Sequence, residues 1–347
     1  MMRDGDWVQY SDVVDALNIV STVVHRTPFL YSKTFSRWSG CEVYLKLENL
    51  QRTGAFKIRG AYNMIAHLSP EERQKGVVCA SAGNHAQGVA LSASLFGIPA
   101  TVVMPEQAPQ AKIEATEGYG AKVLLRGNTY NDAYEYAMQF CRLTGATFVH
   151  AFDHPHVIAG QGTVALEMLQ DRLDLDAILV PIGGGGLIAG VGVAVKAVQP
   201  QIQVIGIEPA GSPSMLLSLQ NGRRTTLSSI QTIADGLAVK TPGELTFSIV
   251  QKVVDDVITV TEEEISEAMW LLLERNKSLV EGAGAVGVAA LLSGRYPWLK
   301  GKKVAVIVSG GNVDMNRLLA LPRKEQNTSF SREARKPKKL LAHASSR

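Results

Sequence analysis

Short runs of β-branched and aliphatic residues recur along the chain, each followed by a glycine-rich or polar turn and then a helix-compatible stretch. The segment VVCASAGNHAQGVALSASLFG (77–97) predicts a short strand, a small-residue turn and a helix rich in Ala and Leu. PATVVMPEQAPQAKIEATEGYGAKVLL (99–125) predicts strand, turn, helix and strand. DAILVPIGGGGLIAGVGVAVKAV (176–198) and GKKVAVIVSGGNVDMNRLLAL (301–321) repeat the pattern. Apolar strands alternating with helices imply α/β architecture: a parallel-rich sheet covered on both faces. Ligands of such sheets bind beyond the carboxyl ends of the strands, which is where these glycine turns fall. In TVTEEEISEAMWLLLERN (259–276), Thr261 is placed to cap a helix whose first turn, Glu262 to Glu264, is acidic. No repeat of 20–50 residues is present.

A length of 347 residues suggests two domains. The formal charge is +3, but it is concentrated: residues 321–347 carry eight basic and two acidic side chains, leaving residues 1–320 mildly acidic. No broad basic surface is implied, which argues against a nucleic-acid or membrane partner. The stretch from Pro322 onward lacks apolar periodicity and reads as disordered. Cys41, Cys79 and Cys141 are odd in number and show no metal-ligand spacing, which fits a reduced cytoplasmic chain. The polar N-terminus does not read as a signal peptide, and no apolar run reaches the length of a membrane span.

Four motifs carry candidate chemistry. Gly183-Gly184-Gly185-Gly186-Leu187 follows an apolar strand and opens a helix. Backbone amides in such a turn feed a helix N-terminus and form an anion cradle suited to phosphate. No Lys-Ser/Thr follows, so it is not a P-loop, and it lacks the dinucleotide fingerprint. Lys57, in Thr53-Gly54-Ala55-Phe56-Lys57-Ile58-Arg59-Gly60-Ala61, sits beside an aromatic and among small residues, where desolvation activates an amine, although most lysines are simply solvated. Ser81-Ala82-Gly83-Asn84-His85 is a small-residue turn at a helix start, suited to a carboxylate or to plain capping. Ser309-Gly310-Gly311-Asn312 follows the strand VAVIV.

Together and in this order, over about residues 10–320, these motifs resemble the fold-type II pyridoxal-phosphate enzymes, most closely the threonine dehydratase/serine racemase group. The resemblance implies a two-domain, tryptophan synthase β-like fold: a large domain of residues 1–50 and 153–320, and an inserted small domain of residues 51–152. It assigns Lys57 as the lysine that bonds pyridoxal 5'-phosphate, with Phe56 beside the cofactor and Asn84 at its ring hydroxyl. Gly183, Gly184, Gly185, Gly186 and Leu187 would hold the phosphate, Ser309 would meet the pyridine nitrogen, and Glu281 would line the cofactor. Ser81, Ala82, Gly83, Asn84 and His85 would hold the substrate carboxylate. The implied activity is a lyase reaction: α,β-elimination converting L-threonine to 2-oxobutanoate and ammonia, or L-serine to pyruvate. That activity belongs to threonine catabolism and, through 2-oxobutanoate, to isoleucine biosynthesis.

Departures from the family pattern refine this. Racemisation needs an acid/base group on each face of Cα; related racemases carry a second serine where this chain has Ala82, which favours elimination. Those racemases hold a cation through a Glu and an Asp six residues later; here Glu208 is followed by Ser214, so no metal site is expected, and Glu208 reads as an exposed strand-end residue. The residues after Leu321 are too few for a regulatory domain, so isoleucine feedback is not expected. Short catabolic relatives respond to AMP, and Arg52, Thr53, Gln87 and Asn312 lie in matching motifs. A homodimer or homotetramer is expected. The alternatives are a serine or 3-hydroxyaspartate dehydratase, a serine racemase, or a catalytically quiet small-molecule binding protein.

Overall fold

The computed structural model describes residues 7–322. Apart from Leu321 and Pro322, the basic tail expected to be disordered lies outside the described residues. Among the described residues, ten strands form two sheets: β1 (Phe29–Tyr31), β2 (Glu42–Leu47), β3 (Val77–Ala80), β4 (Ala100–Met104), β5 (Lys122–Leu125), β6 (Thr147–Phe148), β7 (Ala177–Pro181), β8 (Gln203–Pro209), β9 (Asp256–Val260) and β10 (Lys303–Val308). The larger sheet has the order β1-β2-β10-β7-β8-β9 and the smaller β5-β4-β3-β6. Every pairing is parallel except β1 with β2.

The central strands β7 and β10 of the larger sheet are apolar on both faces because both faces are covered. Along β7, Ile178 and Val180 enter one core while Ala177 and Leu179 enter the other. Along β10, Ala305 and Ile307 take the first face and Val304, Val306 and Val308 the second. The helices Pro155–Asp171 and Gly186–Val198 fill the first core; Glu262–Leu271 and Gly282–Leu292 fill the second. The smaller sheet alternates in the same way, with Val77 and Cys79 facing one cluster and Val78 and Ala80 another. Thr261 caps its helix as its sequence context predicts, with a reciprocal Glu264 contact that completes a capping box.

Two features place the helix Lys57–Ala66. The chain just before it is stitched to the end of β10: Ala55 pairs with Gly310, Phe56 N donates to Ser309 O at 3.1 Å, and Gly311 N to Gly54 O at 2.8 Å. Its far side is anchored by a buried charge quartet. Arg59 forks onto Glu48 (both bonds 2.8 Å) and reaches Glu167 Oε1 at 2.7 Å; Lys46 Nζ meets Glu167 Oε2 at 2.5 Å. Two cations thus face two carboxylates with almost no solvent contact, an arrangement that holds only while all four partners remain.

Glu208 differs from its sequence expectation. It lies at the end of β8, fully buried, and accepts Met215 N at 2.9 Å and Leu216 N at 2.8 Å. The orphan amides opening the helix Ser214–Gln220 supply the hydrogen bonds that make its burial tolerable. Burial pushes its carboxyl up to about 8, against the lowering effect of those two bonds.

Candidate active site

Lys57 opens its helix with a partly buried side chain whose Nζ donates to Ala151 O at 2.8 Å and lies 5.2 Å from the Phe56 ring centroid. Burial pulls its ammonium down to about 8; the Glu281 carboxylate acts in the opposite direction. Glu281 precedes the helix Gly282–Leu292, and burial pushes its carboxyl up to about 7 against the Asn84 hydrogen bond. Asn84 is the first residue of the helix Asn84–Leu95. Its Nδ2 donates to Glu281 Oε1 at 2.7 Å, and its Oδ1 accepts from Asn312 Nδ2 at 2.8 Å. The same Asn312 Nδ2 reaches Thr53 O at 2.7 Å. The turn after β3, the lysine segment and the turn after β10 are therefore joined, with Ser309 buried at their junction.

His85 is buried, and its Nε2 meets Val149 O at 2.8 Å. A carbonyl partner requires the Nε2–H tautomer, which leaves Nδ1 a buried acceptor with no partner among the described residues. Burial, aided by the Lys57 charge, pulls its imidazolium down to about 3, so the ring is neutral. Ser81 Oγ accepts from Gly83 N at 3.2 Å. The amides of Ala82, Asn84, His85 and Ala86 find no acceptor among the described residues and form a donor cluster at the helix start.

The glycine run forms the opposite wall. β7 ends at Pro181, and the helix Gly186–Val198 begins after Gly185, whose φ of 95° lies in the left-handed region that glycine adopts without strain. The amides from Gly183 to Ile188 donate to no acceptor among the described residues, although most of this turn is buried. Phe152 lies so close that a side chain on Gly184 or Gly186 would overlap it. The turn containing Gly236 separates Gly183 from Glu281, and its backbone approaches both. Desolvated amine, two unsatisfied amide clusters and a neutral-leaning acid together suit a ligand carrying an aldehyde, a phosphate and a carboxylate-bearing partner.

The sequence motifs did not reveal Ala151, Phe152, Asp153, Gly236 or Thr246. Asp153 accepts Glu244 N at 2.8 Å and Thr246 N at 3.0 Å, and Thr246 Oγ1 donates to Gly184 O at 2.7 Å. The only sequence signal was position: residues 149–153 directly follow a strand of the smaller sheet.

The family described as pyridoxal-phosphate dependent enzyme matches residues 20–310. The chain belongs to that family. It is 55% identical over 311 residues to L-threonine ammonia-lyase of Thermotoga maritima, covering 90% of this chain and 77% of the relative. It is 48% identical over 314 residues to the catabolic L-threonine dehydratase of Staphylococcus aureus, covering 90% and 91%. Maize serine racemase superposes with a TM-score of 0.87 at 40% identity, over 90% of this chain and 96% of that one. The family's cofactor fits the site: the unsatisfied amides of the glycine turn suit its phosphate, and the desolvated Lys57 amine suits its aldehyde.

Proposed function

We propose that this enzyme is an L-threonine ammonia-lyase that also accepts L-serine. The observation that carries the reading is the desolvated Lys57 amine, set between two helix starts whose amides lack acceptors. Pyridoxal phosphate, when bound, supplies an electron sink that acidifies the substrate Cα–H.

In this reading, the amides of Gly183 to Leu187 hold the phosphate and those around Ala82 to His85 hold the substrate carboxylate. Asn84, kept in place by Glu281 and Asn312, would present its amide to the cofactor's ring hydroxyl. The buried Ser309 would meet the pyridine nitrogen with a neutral hydroxyl, which would not hold that nitrogen protonated as a carboxylate would. The Phe56 ring, 5.2 Å from Lys57 Nζ, would pack beside the cofactor. With substrate bound, the free Lys57 amine would take the Cα proton, while the β-hydroxyl would take up a proton and leave as water. Water then replaces nitrogen at Cα, giving 2-oxobutanoate and ammonia. Ala82 offers no proton on the opposite face of Cα, which favours elimination over racemisation.

The smaller sheet lies within residues 51–152, which supports reading that stretch as an inserted small domain beside a large one of residues 1–50 and 153–320. A cytoplasmic homodimer or homotetramer, an AMP response through Arg52, Thr53, Gln87 and Asn312, and supply of 2-oxobutanoate for isoleucine biosynthesis belong to the same reading. No described helix is long and apolar enough to cross a membrane. The deciding experiment is a 2-oxo acid assay across L-threonine, L-serine and 3-hydroxyaspartate, with D-serine measured in parallel. Turnover of threonine is expected to lead; dominant D-serine formation would replace this reading with a racemase.

A further inference from the structure

Residues Val149–Asp153, between β6 and the helix Pro155–Asp171, touch three parts of the site. Val149 O receives His85, Ala151 O receives Lys57, and Phe152 abuts Gly184 with its ring and Gly186 with its backbone and Cβ. Asp153 turns instead to the helix Glu244–Val253. That helix begins after Gly243, which has no side chain to satisfy the first amides; Asp153, remote in sequence, does so through Glu244 N and Thr246 N. Any side chain at Gly243 would overlap Asp153 Oδ1, so the glycine is what admits the carboxylate.

The third residue of this helix, Thr246, is fully buried and donates its hydroxyl to Gly184 O at 2.7 Å. The Gly184–Gly185 peptide has glycine on both sides and little intrinsic resistance to flipping. In a trans peptide the C=O and N–H point in opposite directions, so fixing the Gly184 carbonyl on Thr246 directs the Gly185 amide away from Thr246.

We propose that Asp153 is a positioning residue for the cofactor phosphate: it fixes the start of the helix Glu244–Val253, whose Thr246 orients the Gly184–Gly185 peptide toward the anion. The inference rests on the reading that this glycine turn holds the phosphate. It also links the two ends of the cofactor, because the carbonyl that receives Lys57 and the carboxylate that steadies the turn lie two residues apart.

The test uses the holoenzyme and follows loss of pyridoxal phosphate into an excess of a competing apoenzyme, together with the 31P resonance of the bound phosphate. Asp153→Ala and Thr246→Val are each expected to release cofactor about tenfold faster, the worth of one well-placed hydrogen bond, and to shift the 31P signal. Thr246→Ser, which keeps the hydroxyl, is expected to match the parent enzyme. Should Asp153→Ala fail to fold, the Thr246 pair still decides between a positioning hydroxyl and mere packing. If Gly185→Ala speeds release but Asp153→Ala and Thr246→Val change neither rate nor resonance, the positioning role is wrong while the phosphate turn stands. If Gly185→Ala also leaves both unchanged, the phosphate turn itself is misassigned, and the inference falls with it.

Discussion

Asn84 donates its side-chain amide to the Glu281 carboxylate at 2.7 Å, joining the helix start after β3 to the helix that precedes β10. The bond stabilises the ionised form of an acid that burial pushes up to about 7. In Asn84→Ala, Glu281 loses that donor and its pKa should rise further. A loss of about 1–3 kcal/mol in stability is expected at pH 8, where the carboxylate would be charged and less well bonded. Urea unfolding at pH 8 and pH 6 measures it, with the larger loss at pH 8; equal losses would mean that the bond does not act on ionisation.

Only the neutral amine of Lys57 can bond the cofactor aldehyde. With its ammonium pulled down to about 8, the rate of cofactor uptake by the apoenzyme should rise with pH and level off above about 8, well below the ordinary lysine value. Stopped-flow absorbance across pH 6.5–10 follows this directly. Continued increase toward pH 10 would show that the amine is not desolvated. Lys57→Ala should abolish covalent capture altogether.

The Arg59 quartet should dominate the stability of the lysine helix. Removing one partner of a buried ion pair costs about 3–5 kcal/mol because the remaining charges lose their compensation. Glu48→Ala and Glu167→Ala should each fall in that range by urea unfolding. A loss under 1 kcal/mol would mean that water reaches the cluster.

Desolvated imidazoles set an acid limit. His85 and His156 are held neutral, their pKa values pulled down to about 3 and about 4 by burial; His67 stacks on His156 with centroids 3.9 Å apart. Between the ordinary histidine value of about 6.5 and these folded values, the unfolded chain binds more protons. Stability from this source is therefore complete above about pH 6.5 and is lost as pH falls toward 4 and then 3. Denaturation midpoints should begin to drop below pH 6.5, and His156→Phe should shallow that drop. An identical slope in the variant would assign the acid loss elsewhere.

Ala82→Ser restores a hydroxyl in the turn proposed to hold the substrate. Racemisation of L-serine is expected to appear above the parent's level, read as D-serine by chiral chromatography beside pyruvate. No D-serine would show that a hydroxyl at this position does not reach the opposite face of Cα.

The strand–turn–helix units were legible because each carries a local signal. β7 and β10 are unbroken apolar runs, and their glycine turns follow at once. The grouping of Lys57, Asn84, Glu281 and the glycine turn was expected only from the family resemblance that the motifs carry together. What escaped depends on partners far apart in sequence. Nothing near Arg59 announces Glu167, and Asp153 looks like an ordinary turn residue until Gly243 is seen to leave it room. Glu208 was misread for the same reason: its partners, Met215 N and Leu216 N, are backbone groups with no residue-type signature.

The pairing of Ala55 with Gly310 has a consequence for how the protein comes into being. The segment that presents Lys57 is held by residues made long after it in translation, and β10, the strand leading to them, lies between β2 and β7 in the sheet. A nascent chain that has emerged as far as β9 thus lacks a central strand and the strap over its lysine. Cofactor capture should be a late event on the ribosome, delayed until the closing strand slots between neighbours that have waited for it.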